Sequence, residues 1–165
     1  MMLNDLAICA GSFDPVTMGH LDIIERTAAT FRQTLVAVLD NPVKAPLFTT
    51  AERCALLAKA TCHLPTVSIE HFDGLLVEFA RARGARVIIR GLRALADFEA
   101  EFQMALINKH LAPEIETMFM VTRPEFSFIS SSMVKELVRF GGSVTGLVIP
   151  AVEEALLAKK ALLQR

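Results

Sequence analysis

The chain has 165 residues, 53% of them apolar, with 17 basic against 18 acidic side chains and a net charge of −1. So much apolar surface excludes a disordered chain, and a near-neutral balance argues against a protein that coats nucleic acid. No apolar run approaches the roughly 18–20 residues of a membrane span, and Asp5 precedes only a short apolar run, so no secretory signal and no membrane association are expected. Residues 1–165 are expected to form one domain. Cys9, Cys54 and Cys62 lack any C-x-x-C spacing, which suits neither a disulfide framework nor a zinc site and points to a reducing cytoplasm. The apolar surplus is expected to lie in a subunit interface.

Taken in order, residues 6–10 form a continuous apolar run that reads as a buried strand, closed by Gly11. Leu21, Ile23, Ile24, Ala28 and Phe31 recur at helical period over 19–31. A second strand spans 34–39. Thr49 with Glu52 makes a capping box that starts a helix to about residue 62. A third strand at 67–70 is followed by a helix over 75–83, stopped at Gly84. A fourth strand covers 87–90 and a long helix 94–111, ended before Pro113. A fifth strand at 116–121 precedes helices at 131–139 and 152–163. Strands alternate with helices throughout, and the strands are apolar without alternation, as when both faces are covered. The expected fold is α/β: a Rossmann-like, open, parallel, five-stranded sheet with helices on both faces.

Ligands of such sheets bind at the carboxyl ends of the strands. After the first strand, Gly11 and Gly19 flank a loop that leads to His20 in the first turn of a helix. Free N–H groups there favour an anion, and the dipole keeps the imidazole neutral, able to donate one N–H to a phosphate. Lys44 sits in the loop after the second strand. After the fourth, Arg90 and Arg93 flank Gly91-Leu92 and either grip phosphates or pair with Asp97, Glu99 or Glu101. After the fifth, Ser130, Ser131 and Ser132 open a helix, as an anion cradle or as ordinary caps. Neither a P-loop nor a G-x-G-x-x-G is present.

Gly11-Ser-Phe-Asp-Pro-Val-Thr-Met-Gly-His20, Arg90-Gly-Leu-Arg93 and Phe126-Ser-Phe-Ile-Ser-Ser-Ser132, in this order and at this chain length, resemble the bacterial phosphopantetheine adenylyltransferases, with Thr17-Met-Gly-His20 matching the T/H-x-G-H signature of the nucleotidyltransferases. The resemblance implies transfer of the adenylyl group of ATP to 4′-phosphopantetheine, giving dephospho-coenzyme A and pyrophosphate. It implies Mg²⁺ held mainly by ATP phosphates, coenzyme A as a feedback ligand, and a homohexamer. By the family pattern Ser12 meets both substrates and Phe13 meets ATP, while His20 faces the α-phosphate. Lys44 and Arg90 hold the phosphate of phosphopantetheine. Gly91, Leu92, Arg93 and Glu101 contact ATP, as do Phe126, Ser127, Phe128, Ile129, Ser130, Ser131 and Ser132. Leu76, Met104 and Asn108 line the pantetheine arm. His20, Lys44 and Arg93 carry the catalytic roles, and no protein ligand to a metal is named. Ser12 stands where Thr is commoner, Cys9-Ala10 where an aromatic and Pro are frequent, Ala100 for a frequent Tyr and Phe126 for a frequent Trp.

The attacking group would be a phosphate monoester, mostly dianionic at neutral pH because its second pKa is about 6. Such a reaction needs no side-chain base and no covalent nucleophile, and Cys9 reads as a core residue. His63, His71 and His110 read as surface or capping residues. A nucleotidyltransferase with another acceptor, a non-catalytic nucleotide sensor and a flavodoxin-like carrier are the alternative readings.

Overall fold

A computed structural model describes residues 6–40 and 45–164; the expectation for Lys44 lies outside them. Strands β1 (Leu6–Gly11), β2 (Gln33–Leu39), β3 (Val67–Phe72), β4 (Val87–Leu92) and β5 (Glu116–Val121) alternate with helices α1 (Met18–Thr30), α2 (Thr50–Ala60), α3 (Leu76–Ala82) and α4 (Leu95–Leu111). Helices α5 (Ser131–Arg139), α6 (Pro150–Ala158) and α7 (Lys160–Leu163) follow. All five strands pair in parallel in the order β3-β2-β1-β4-β5. The connections that start from β1 build the sheet in one direction and the return to β4 builds it in the other. A crevice therefore opens at the carboxyl ends of β1 and β4.

Successive residues of β1 face opposite sides. Ala7 and Cys9 join a core with residues of α1, α2, α5 and α6, such as Ile24, Leu57, Val134 and Leu156. Ile8 joins a second core with Leu35, Ile88 and α3 residues Val77 and Ala80. Helix α4 is the exception. Among its described side chains only Asn108 is buried, while Leu95 is 87% and Leu106 56% exposed.

Three expectations about the elements change. β3 and β5 are the sheet edges and are partly exposed, so their apolar runs did not mean two covered faces. β4 runs on to Leu92, which puts Arg90, Gly91 and Leu92 in the strand and leaves Arg93 alone just beyond it. The last helix breaks at Lys159 into α6 and α7. A 3-10 turn at Pro124–Phe126 joins β5 to α5.

Arg53 of α2, 2% exposed, ties the crevice to this frame. It donates to the Ser12 carbonyl at 2.8 Å, the Leu39 carbonyl at 2.9 Å and the Thr50 hydroxyl at 2.9 Å, joining the ends of β1 and β2. Removing a buried donor strands its acceptors. Arg53→Met is expected to lower unfolding free energy by about 2–4 kcal/mol in urea titrations; an unchanged midpoint would show that these bonds hold nothing.

Candidate active site

The crevice is a cleft of about 430 Å³ lined from both sides of the β1–β4 gap. Its first wall is the loop from β1 to α1. Phe13 leaves the strand with φ at 49°, a left-handed conformation uncommon for a bulky side chain, and its buried ring folds back over Gly11. A Cβ at Gly11 would meet that ring at 3.2 Å. The tight exit expected of Gly11 is thus made by Phe13, and Gly11 supplies the room for it.

Phe13 meets the half-buried His20 ring edge-on, with centroids 5.1 Å apart. Thr17 and His20 form a capping box at the start of α1: the Thr17 hydroxyl accepts from the His20 amide, and the Thr17 amide donates to His20 Nδ1 at 3.0 Å. A ring nitrogen that accepts an N–H carries the lone pair, so the neutral tautomer bears its proton on Nε2. Capping takes Nδ1 only, so it leaves the Nε2–H able to donate to a ligand. Burial, then the guanidinium groups of Arg93 and Arg90, lower the His20 pKa from 6.5 to about 4. The neutral imidazole is as expected, and burial with the two guanidinium groups acts in the same direction as the helix dipole.

The opposite wall carries the arginines. Arg90 gives Nε–H and Nη2–H to the two oxygens of Glu101, each at 2.6 Å, and an Nη1–H to the Ala10 carbonyl of β1. Arg93 gives Nε–H and Nη2–H to Asp97, each at 3.1 Å, and an Nη1–H to the Ile129 carbonyl. The cleft floor includes Gly91, where a Cβ would come within 3.0 Å of Ile23. Thr122 lines the same cleft, and the wholly buried carboxylate of Asp22 takes the next amide, Arg123, at 3.1 Å.

The third wall is the start of α5. The Ser130 hydroxyl caps the helix by accepting from Met133, and the Ser131 hydroxyl donates to the Pro15 carbonyl at 2.8 Å. Ser131 thus spends its O–H on the protein, whereas Ser130 only accepts and keeps its O–H to donate. The anion donors on this wall are that hydroxyl, the Ser132 hydroxyl and the first-turn amides of Ser131 and Ser132, which have no acceptor within a helix. Asp14 ties the walls together. It accepts from the amides of Leu47 at 3.0 Å and Phe48 at 2.8 Å, and from Lys135 Nζ of α5 at 2.8 Å. Cys9 touches the cleft, but burial chiefly pushes its thiol up to about 11, so it stays protonated.

The cleft therefore gathers Ser12, Phe13, His20, Arg90, Gly91, Arg93, Glu101, Ile129, Ser130, Ser131 and Ser132. Leu76, Leu92, Met104, Asn108, Phe126, Ser127 and Phe128 do not line it. Leu76 packs on the second core, Asn108 is buried, and Met104 and Phe128 are exposed. Sequence reasoning assigned no role to Asp14, Arg53 or Thr122; Asp14, inside the quoted loop motif, was the one within reach.

Residues 8–137 match the cytidylyltransferase-like family. The chain is 55% identical over 147 residues to the phosphopantetheine adenylyltransferase of Heliobacterium modesticaldum, covering 89% of this chain and 88% of that one. The chain belongs to the phosphopantetheine adenylyltransferase family. A second member, from Symbiobacterium thermophilum, is 54% identical over 158 residues, covering 96% and 98%. A solved structure of a candidate nicotinate-nucleotide adenylyltransferase from Vibrio parahaemolyticus superposes with a TM-score of 0.66 at 19% identity, covering 94% of each chain, which speaks for the fold alone.

The lowered pKa of His20 carries a consequence for pH. The unfolded chain, with an ordinary histidine pKa of 6.5, binds a proton that the folded chain refuses. His20 therefore costs stability progressively as pH falls from 6.5 towards 4. In NMR titrations its ring signals are expected to hold still from about pH 8 to about pH 5.5; a midpoint near 6.5 would contradict this environment.

Proposed function

We propose that this protein transfers the adenylyl group of ATP to 4′-phosphopantetheine, forming dephospho-coenzyme A and pyrophosphate in the penultimate step of coenzyme A synthesis. The carrying observation is that an imidazole, two guanidinium groups and a helix start converge on one cleft, in a chain more than half identical to relatives named for this activity. A phosphate oxygen of phosphopantetheine forms a bond to the α-phosphorus of ATP while the bond from that phosphorus to the bridging oxygen breaks, and pyrophosphate leaves with the electron pair. The attacking phosphate is already a dianion, so no side chain takes a proton. What the protein supplies is position and preorganised donors.

In this assignment His20 gives its Nε2–H to the α-phosphoryl oxygens as charge builds there. Lys44 and Arg90 aim the attacking phosphate, Ser12 lies between the two substrates, and Arg93 with the α5 amides receives the β- and γ-phosphates. Glu101 acts through Arg90. Phe13 sets the His20 ring, and the ATP contacts otherwise include Gly91 and the stretch from Ile129 to Ser132, with Leu92, Phe126, Ser127 and Phe128, which lie outside the cleft lining, added by resemblance alone. By resemblance alone, Leu76, Met104 and Asn108 go to the pantetheine arm.

The cleft carboxylates Asp97 and Glu101 are each forked onto an arginine, so the donor set suits a magnesium ion seated on the nucleotide's own phosphate oxygens and water. Bound there, Mg²⁺ would offset charge on those phosphates. Coenzyme A, with the product's skeleton and one further phosphate, competes for the same cleft as a feedback ligand. Free Cys9, Cys54 and Cys62 suit a reducing cytoplasm, and among the described residues no helix is long and apolar enough to cross a membrane. The exposed apolar face of α4, with Leu95, Phe98, Phe102 and Leu106, supports a homo-oligomer, a hexamer by family resemblance.

A coupled pyrophosphate assay with ATP or CTP against phosphopantetheine and nicotinamide mononucleotide tests the reading. Turnover with ATP and phosphopantetheine is expected, and turnover only with another pair would refute it. His20→Ala is expected to lower kcat roughly 10²–10³-fold, the scale of one lost transition-state donor, with little change in the KM for ATP; a variant within about threefold of wild type removes His20 from this role. Leu106→Glu is expected to split the oligomer in light-scattering measurements, and an unchanged mass would clear the α4 face of that part.

A further inference from the structure

Arg93 and Arg90 are seated alike. Each forks its Nε–H and an Nη2–H onto one carboxylate of α4, and each sends an Nη1–H to a backbone carbonyl beyond the helix. The carboxylates, Asp97 and Glu101, are four residues apart and so lie one turn along the same helix face. A guanidinium has five N–H donors. Three are committed on each arginine, and two remain, one on each terminal nitrogen. The Arg93 backbone amide also points at Asp97 Oδ2, at 3.4 Å. The side chains of Arg93 and Asp97 keep 36% and 29% of their surface exposed, and both line the cleft.

We propose that Asp97 is a positioning residue for the transfer: it fixes the plane of the Arg93 guanidinium so that the two uncommitted N–H groups are set to receive phosphate before substrate arrives. This rests on the adenylyl-transfer reading above. An unbraced arginine would surrender rotamer freedom on every binding event, and a brace removes that loss in advance. The geometry disfavours two other roles. As a mere surface pair, Asp97 would have no reason to share Arg93 with the Ile129 carbonyl, which ends the loop leading to the α5 cradle. As a competitor for the phosphate it would need to occupy the whole fork, yet it leaves two donors open. Glu101 does the same for Arg90, three residues earlier within β4, so α4 acts as a rail for both cations.

A double-mutant cycle tests the proposal, reading kcat by pyrophosphate release and Kd for inorganic pyrophosphate by calorimetry. Wild-type turnover comes first, and its absence would defeat the adenylyl-transfer reading, not the brace. Asp97→Asn keeps the shape but lets only one oxygen accept. In the wild-type background it is expected to lower kcat about tenfold, the scale of a misaimed clamp, and to weaken pyrophosphate. In an Arg93→Lys background, where there is no fork to brace, it is expected to change neither quantity by more than about twofold. Equal losses in both backgrounds, no loss in wild type, or tighter pyrophosphate binding would each overturn the proposal. Because Asp97 is partly exposed near the start of a helix, its replacement spares the core, and matching melting temperatures check this.

Discussion

Two highly charged anions have to meet at one phosphorus atom, and the arrangement of the cleft follows from that constraint. A chain with net charge −1 has no overall surplus of positive charge to meet them. It concentrates donors instead, and each of the two cleft arginines is balanced close by. Arg90 with Glu101 and Arg93 with Asp97 place cations at the cleft without a local charge excess, and the neutral His20 contributes an N–H without a charge. Backbone amides at the start of α5 add donors that need no counter-ion. Donors fixed in advance need little rearrangement as charge shifts towards the leaving group.

The parallel sheet is what makes this convergence available. The carboxyl ends of β1 and β4 lie side by side at the point where the connections change direction, so loops distant in sequence share one cleft. Asp14 and Arg53 then tie those loops to one another and to α2 and α5. Helix α4 has a double position. One face carries the carboxylates that seat the arginines, and the rest is an apolar surface that its own protomer leaves bare. Covering that surface with another copy would hold the rail on which the cations rest, and would give the surplus apolar content a use at the cleft as well.

The central strands were legible from composition alone, because β1 and β4 are apolar on both faces and sit mid-sheet. The edges were not: nothing within 67–72 or 116–121 says that a neighbour is missing on one side. The site followed the same division. His20, Arg90, Arg93 and the serines were visible as chemistry at strand ends. How each is used was hidden, because it depends on partners far away in the chain. Ion pairing and phosphate binding looked like alternatives for the arginines, yet a guanidinium has donors enough for both. Capping and ligand donation looked exclusive for His20, yet capping occupies Nδ1 alone and leaves the Nε2–H able to donate. Among the serines, Ser131 spends its O–H on the Pro15 carbonyl, while Ser130 caps the helix as an acceptor. Asp14 meets amides 33 and 34 residues away and a lysine 121 residues away, which no local spacing could announce.

The central claim is that the protein forms no covalent bond to the nucleotide and brings the acceptor phosphate straight onto the α-phosphorus. The stereochemical course at that atom tests it most directly, using ATP made chiral there by a single sulfur substitution and reading the configuration of the dephospho-coenzyme A formed. One direct displacement predicts inversion. Retention would mean two displacements through a protein-bound adenylyl group, for which the account has no nucleophile, and would contradict it.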